Sequence, residues 1–337
     1  MSSIFDRFEL SSFKRMYENA KAVHEYSGKN TLLILFDMAQ CILNDHIGYM
    51  EYNLFHFVNK SREKRKTYVN FDYSQYLFKT LNDKEYIDLF NDKLAFNEIF
   101  RDYLGRQFLN IENSEYEDFK VFCKGKKAFF CKPADSCSGK GIYKNIHIDE
   151  NSDLKQIYDY LKQNHLFIEE SIVQNEKMEM LHPGSINTVR VTTVLDDNDE
   201  AHVMYALQRI GIGDMSVDNV GSGGIYTVLS DEGKIVCPCW SDKTITTYTK
   251  HPSTGMELIG FEVPYFKEAL ELCRRAAKME KHVRYVGWDI AISDKGPVIV
   301  EGNPLPGYDM PQNYFVTQKD TGLKPEFEQV LSIDSNI

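Results

Sequence analysis

The chain is 337 residues long and 42% apolar, enough for a real core in two domains or in one large lobed domain. Its formal charge of −11 repels nucleic acid and anionic membrane unless a local basic patch overrules it. The seven cysteines (Cys41, Cys123, Cys131, Cys137, Cys237, Cys239 and Cys273) include no CxxC pair, which argues against a disulfide framework or a zinc site and for buried or idle thiols.

The opening residues, MSSIFDRFELSSFKR, lack the apolar run of a signal peptide. The longest apolar stretch, TLLILFDMAQCIL, is short and broken by Asp37 and Gln40, so a cytoplasmic location without a membrane partner is expected. Residues 1 to about 110 are predicted to be mainly helical, with apolar residues at threes and fours in FDMAQCILNDHIGYMEYNLFHFV and YIDLFNDKLAFNEIFRDYL. The one dense basic run, KSREKRK at 60–66, contains a glutamate and no interleaved aromatics; it reads as a solvated helix face or loop, and no nucleic-acid role is expected of it.

From Phe119 the pattern changes to short strands, predicted in DFKVFCKG, KKAFFCKP and GIYKNIHI. A helix follows in SDLKQIYDYLKQN, with Ser152 as a modest cap. Strand-like runs then recur in LFIEESIV, INTVRVTTVLDD, AHVMYALQRIG, GGIYTVLSD and KIVCPCW. A strongly amphipathic helix, YFKEALELCRRAAKMEKHV, precedes a closing hairpin, YVGWDIAI-SDKG-PVIVEGN. The expected class is α+β with mixed or antiparallel sheets.

The closing hairpin carries the chemistry. If Asp294-Lys295-Gly296 forms a three-residue loop with Gly296 in the left-handed position, Ser293 faces Pro297 and Asp289 faces Glu301. Period-two alternation adds Asn303 to the same face. Two carboxylates and an amide are hard oxygen donors of the kind that hold Mg²⁺, with substrate phosphates and water completing its octahedron. The alternative is a solvated strand end whose acids never meet.

A magnesium site of that kind needs phosphate nearby, and FFCKPADSCSGKGIYK at 129–144 is the candidate cradle. Lys132 ends one strand, Ala134 to Lys140 form a small-residue loop containing Ser138 and Gly139, and Gly141 starts the next strand. Such a loop can fold over phosphates and offer them backbone N–H groups, with Lys132 beneath. It is not a Walker A loop, because GxxxxGK[ST] is absent and a strand follows. Taken alone, a glycine-containing hairpin is more often only a turn; taken with the metal hairpin, that reading reverses.

In chain order, NDKLAFNEIF, FFCKPADSCSGKGI, LFIEESIV, LHPGSINTVRVTT, ALQRIG with VDNVGSGG, GWDIAI and VIVEGNPLPG resemble the ATP-grasp superfamily, in particular its sugar-transfer-associated branch, related to glutamate-ligase-like proteins. The likeness runs from about Asp92 to Phe327. It implies two α+β lobes gripping ATP, preceded by a mainly helical N-terminal region: residues 1–91, then a catalytic domain at 92–330 with a lid lobe at about 112–166 and a core lobe at 167–330. By resemblance, Lys93 and Lys132 reach the nucleotide phosphates, and the segment with Ser138, Gly139 and Gly141 covers them. Glu169 and Glu170 stand at the hinge where adenine is read, and Glu176 falls at a ribose position. Arg190 and Arg209 match cations near the terminal phosphate or acyl-phosphate, against the plainer reading of surface salt bridging. Asp289, Glu301 and Asn303 match the magnesium ligands. Cys137 departs from the pattern, standing where small or glycine residues are frequent.

The activity so implied is ATP-dependent carboxylate–amine ligation through an acyl-phosphate, with ATP and Mg²⁺ as cofactors and small-molecule substrates, an amino acid or sugar acid, in surface polysaccharide assembly. Two other readings stand beside it, a phosphotransferase acting on a hydroxyl and a non-catalytic nucleotide-binding scaffold. His182, beside Pro183, reads as a loop residue and not as a base.

Overall fold

The computed structural model describes residues 10–133 and 144–332. The N-terminal third is helical as expected: α1 (Leu10–Ser27), α2 (Thr31–Asn44), α3 (Tyr49–Leu54), α4 (Arg62–Arg65), α5 (Phe71–Leu81), α6 (Lys84–Asn91) and α7 (Lys93–Ile99). There follow β1 (Phe108–Asn110), α8 (Tyr116–Cys123), β2 (Ala128–Pro133), β3 (Lys144–His147), α9 (Leu154–Gln163), β4 (Leu166–Glu170) and α10 (Glu176–Glu179). The C-terminal half is β5 (Val189–Leu195), β6 (Ala201–Ile210), β7 (Ile225–Val228), β8 (Cys239–Ser241), β9 (Thr246–Tyr248), α11 (Phe266–Ala277), β10 (Tyr285–Ser293), β11 (Gly296–Asn303), α12 (Tyr314–Thr317) and α13 (Lys324–Leu331). Among the described residues no helix is long and apolar enough to cross a membrane.

The strands form two antiparallel sheets, one of four in the order β1-β4-β2-β3 and one of seven in the order β11-β10-β5-β6-β7-β8-β9. Alternation along the strands of the larger sheet sorts its two faces. Trp288 and Ile290 of β10 join the core under α6, α7 and α11, while Tyr285 and Leu207 join the core under α5 and α13 on the opposite face. Asp289 lies between Trp288 and Ile290 in sequence, so it points away from the first core. The smaller sheet is backed by α8 and α9 through Phe119, Phe122, Tyr158 and Leu161. The N-terminal helices share a core with Tyr226, Trp240 and Val316 of the larger sheet and α12.

Three local expectations are corrected. The run DFKVFCKG is not a strand but most of α8: Phe119, Phe122 and Cys123 are buried at helical spacing, and Glu115 and Asp118 form a capping box at its start. A short apolar run fits either period, and here the cap and the packing decide. The cap of α9 is Asp153, whose side chain accepts from Gln156 N, one residue beyond Ser152. The basic run is not simply a solvated face: Arg65 ties α4 to Asp37 of α2 through two hydrogen bonds of 2.9 and 2.8 Å, and Lys60 and Lys64 both pair with Asp320.

The closing hairpin shows a fourth correction. Its loop is two residues, Asp294 and Lys295, so Ser293 pairs with Gly296 and Ile292 with Pro297. Gly296 does take a positive φ, +118°. A register shift after Asp289 then leaves Val300 as the extra residue of a bulge, and Asp289 faces Glu301 after all. The shorter loop and the bulge each displace the register by one residue, in compensating senses.

Gly302 shows how tightly this strand is held. A Cβ there would lie 2.9 Å from Phe96 Cε2 and 3.0 Å from Phe90 Cδ1, rings already packed against Phe100 and Trp288. Gly302→Ala should therefore lower stability by about 1–3 kcal/mol through overpacking, read as a fall in the denaturation midpoint. An unchanged midpoint would show that the α6–α7 contact is looser than this.

Candidate active site

Four neighbouring strands of the larger sheet each place one charged side chain on the same face: Glu301 on β11, Asp289 on β10 and Arg190 on β5 lie in one row across the ladders, and Arg209 on β6 stands two residues beyond Leu207, the partner of Arg190. Asp289 sits directly opposite both Glu301 and Arg190 in the two ladders. Arg190 donates to both carboxylate oxygens of Asp289, through Nε to Oδ1 and through Nη2 to Oδ2 at 2.9 Å. Arg209 Nη1 donates to the same Oδ2 at 2.9 Å, and its Nη2 donates to Asp218 Oδ1 at 3.0 Å. Asp218 is itself fixed by the Thr188 amide at 2.7 Å.

Asp289 is only 3% exposed, and burial by itself would raise its pKa; the two guanidinium groups override burial and hold the carboxyl well below the usual carboxylate range. Glu301, exposed at the mouth of the row, is shifted the other way, first by partial desolvation and then by the Asp289 carboxylate beside it. Asn303 Nδ2 stands 3.4 Å from Glu301 Oε1. Arg209 also keeps its Nε buried with no partner, a donor left over in the cluster.

A second cluster joins the smaller sheet to this row. Arg106 Nε donates to Glu169 Oε2 of β4 at 3.1 Å, while its Nη1 donates to the carbonyl of Ile299 at 2.7 Å and its Nη2 to that of Val300 at 3.3 Å. One guanidinium thus links β4, an inner strand of the small sheet, to the bulge that sets Glu301 opposite Asp289. Lys132 pairs with Glu169 Oε1, and Asn97 Nδ2 of α7 lies 3.4 Å from Oε2. Burial would raise the Glu169 pKa, but Lys132 and Arg106 together lower it. Glu170 is held by the Gln107 amide at 2.7 Å and by Lys126 at 3.1 Å.

The structure thus brings together Lys132, Glu169, Arg190, Arg209, Asp289, Glu301 and Asn303 along the seam between the sheets. Lys93 opens α7, with Asp92 capping the helix and Phe96 packed over Gly302 of the metal-candidate strand. Glu176 is not brought to the row: it is exposed on α10 just after Asn175, which bonds Ile292 O and Asp294 at the turn end of the hairpin. Ser138, Gly139 and Gly141, with Cys137, lie outside the described residues. His182 is buried between Ser185 and the Gly213 carbonyl, a loop tie as expected.

Sequence reasoning missed Arg106, Asp218 and Lys126 as partners. Asp218 falls inside VDNVGSGG, a motif already singled out; Arg106, in YLGRQ, has no local signal, because its partners lie 63 and 193 residues away.

Two carboxylates and an amide suit a hard cation, and Glu301 offers it an open oxygen. Asp289 would be shared with the two arginines. Among the described residues no group of three or more His, Cys, Asp or Glu side chains could hold a metal by itself, so phosphate and water oxygens would have to complete the shell. With Asp218 the cluster sets three carboxylates against two guanidiniums, so a bound polyphosphate would draw its balancing charge from its cation and from lysines.

The family described as sugar-transfer associated ATP-grasp matches residues 72–330. A search of curated proteins found no match. Among solved structures, the chain is similar to the ATP-grasp ligase PsnB complexed with a minimal precursor, at 14% identity over 75% of this chain and 64% of that one, with a TM-score of 0.42. It is also similar to the D-alanine-D-alanine ligase from Coxiella burnetii, at 10% identity over 74% and 58% with a TM-score of 0.41. For the N5-carboxyaminoimidazole synthetase from Staphylococcus aureus complexed with ADP, the figures are 11% over 68% and 48%, with a TM-score of 0.42. The chain spans less than two thirds of the length of each.

Proposed function

The chain belongs to the sugar-transfer associated ATP-grasp family, and from that premise we propose that it is an ATP-dependent carboxylate–amine ligase working through an acyl-phosphate. The observation that carries the reading is the cluster Glu301–Asp289–Arg190–Arg209, which sets an open oxygen-donor pair beside two fixed guanidiniums. Substrates of matching chemistry are a small carboxylate, an amino acid or sugar acid, and an amine.

In this reading Asp289, Glu301 and Asn303 hold Mg²⁺ against the triphosphate. A magnesium ion bound there offsets charge on the transferring phosphoryl group. Lys93 and Lys132 hold phosphate oxygens; Lys132 exchanges part of its pairing with Glu169 for them. Arg190 and Arg209, anchored by Asp289 and Asp218, present their remaining N–H groups to the carboxylate and to the acyl-phosphate formed from it. Because both are locked by packing and hydrogen bonds, little reorganisation accompanies charge development.

The products test it. A productive acid and amine pair should give ADP and phosphate in equal amount with an amide, and hydroxylamine in place of the amine should give a hydroxamate. AMP with pyrophosphate would overturn the γ-phosphoryl route. ADP with a phosphate ester and no hydroxamate would make the chain a phosphotransferase, and ATP binding without turnover over a broad panel of amino acids and uronic acids would make it a scaffold.

A further inference from the structure

We propose that α2 is a homodimerisation helix, pairing antiparallel with α2 of a second copy of this chain about a twofold axis. The helix is apolar on both sides. Ile34, Met38 and Cys41 are buried against its own chain, whereas Leu32, Leu33, Phe36 and Leu43 remain 75, 68, 64 and 63% exposed. A helix that is apolar all round is a buried helix, and a contiguous exposed strip of large aliphatic and aromatic side chains marks a contact surface.

The spacing of the exposed strip identifies the occupant. Leu33, Phe36, Gln40 and Leu43 follow each other at three, four and three residues, the seam of a two-helix coiled coil. The same four positions are symmetric about residue 38. An antiparallel partner crossing there sets Leu33 against Leu43 of the other copy and Phe36 against Gln40, so the strip is complementary to itself, as a twofold interface requires. Gln40 is the single polar residue in the seam and would fix its register.

Charge agrees. The exposed positions of α2 carry no Lys, Arg, Asp or Glu. Its one acid, Asp37, is engaged by Tyr52 and by both terminal nitrogens of Arg65. Pairing two such strips strands no ion. Basic residues of α4 stand beside α2, but Lys64 is paired with Asp320 and Lys66 with Glu63, and the chain as a whole is strongly acidic, which disfavours an anionic membrane surface. Neither Arg65 nor the strip contacts the charged row of the large sheet, so association and ATP chemistry are separable.

The test uses the full chain in a dilution series followed by light scattering or sedimentation. The expected wild-type mass is twice that of the 39.1 kDa chain. Phe36→Glu, and separately Leu43→Glu, should give the monomer mass with an unchanged far-ultraviolet circular-dichroism spectrum, because both side chains face solvent in the single chain. Under oxidising conditions, Leu33→Cys mixed with Leu43→Cys should cross-link between copies beyond the wild-type background, and Leu33→Cys alone should not. A wild-type chain that stays at monomer mass throughout overturns the proposal, as does a dimer that survives both glutamate substitutions. Cross-linking of Leu33→Cys to itself overturns the antiparallel pairing. A monomer that binds uncharged or anionic phospholipid vesicles through Phe36 would assign the strip to lipid and overturn the dimer.

Discussion

Replacing Glu301 with alanine should lower ATP turnover by about a hundredfold or more while the melting temperature stays level or rises slightly. The carboxylate stands exposed at the strand mouth, with Asn303 Nδ2 at 3.4 Å, so folding gains little from it. Its nearest charged neighbour of like sign is Asp289, directly opposite in the ladder, and removing Glu301 relieves that repulsion. In the bound state the same position would hold half of the negative charge that fixes the cation. The measurement is a pair: a thermal melt, and ADP release at saturating Mg²⁺ and ATP. Full turnover in this variant would remove the hairpin from the catalytic site, however well the nucleotide still bound.

Asp289→Ala should behave differently, losing turnover and also about 3–5 kcal/mol of stability. The sequence suggests a ligand whose removal spares the fold; the structure adds a buried structural charge. With Asp289 gone, Arg190 loses both of its bonds to the carboxylate, and Arg209 keeps only Asp218. The pH dependence follows. Because the folded pKa of Asp289 lies below its unfolded value, its contribution is fully present above the unfolded pKa near 3.8 and is lost as pH falls through the lower folded value. The stability gap between wild type and Asp289→Ala should therefore narrow in strong acid, as pH falls below the unfolded pKa of Asp289. Adding Arg190→Met to Asp289→Ala should restore part of the loss, since it removes one stranded charge. A gap that stays constant into strong acid, or no destabilisation at all, would mean that water solvates the arginines in place of Asp289.

Much of this was legible in the residues themselves. Alternation of apolar and polar side chains in WDIAI and VIVEGN fixed which side chains share a face, and a glycine able to take positive φ marked the turn. Strong amphipathic spacing marked α11, whereas the caps of α9 and α7 are Asp153, in place of the expected Ser152, and Asp92, which no local reading singles out. Motif order pointed to the family before any geometry was known.

What the chain could not declare locally was which distant charges meet. Asp289 lies 99 residues from Arg190 and 80 from Arg209; only the strand order β11-β10-β5-β6 sets them side by side. The hairpin register came from two tertiary details, a two-residue loop and a bulge at Val300, that sequence spacing cannot separate from a longer loop with none. The short run in α8 fits a strand or a helix until Phe119 and Phe122 have a sheet to pack on. Arg106 illustrates the same limit at the site: a lone arginine in YLGRQ acquires its partners, Glu169 and the Ile299 and Val300 carbonyls, when the two sheets come together. Torsional preference and side-chain period act over a few residues and can be read from the chain; electrostatic pairing and burial act through space, and they exist only once the topology has chosen the neighbours.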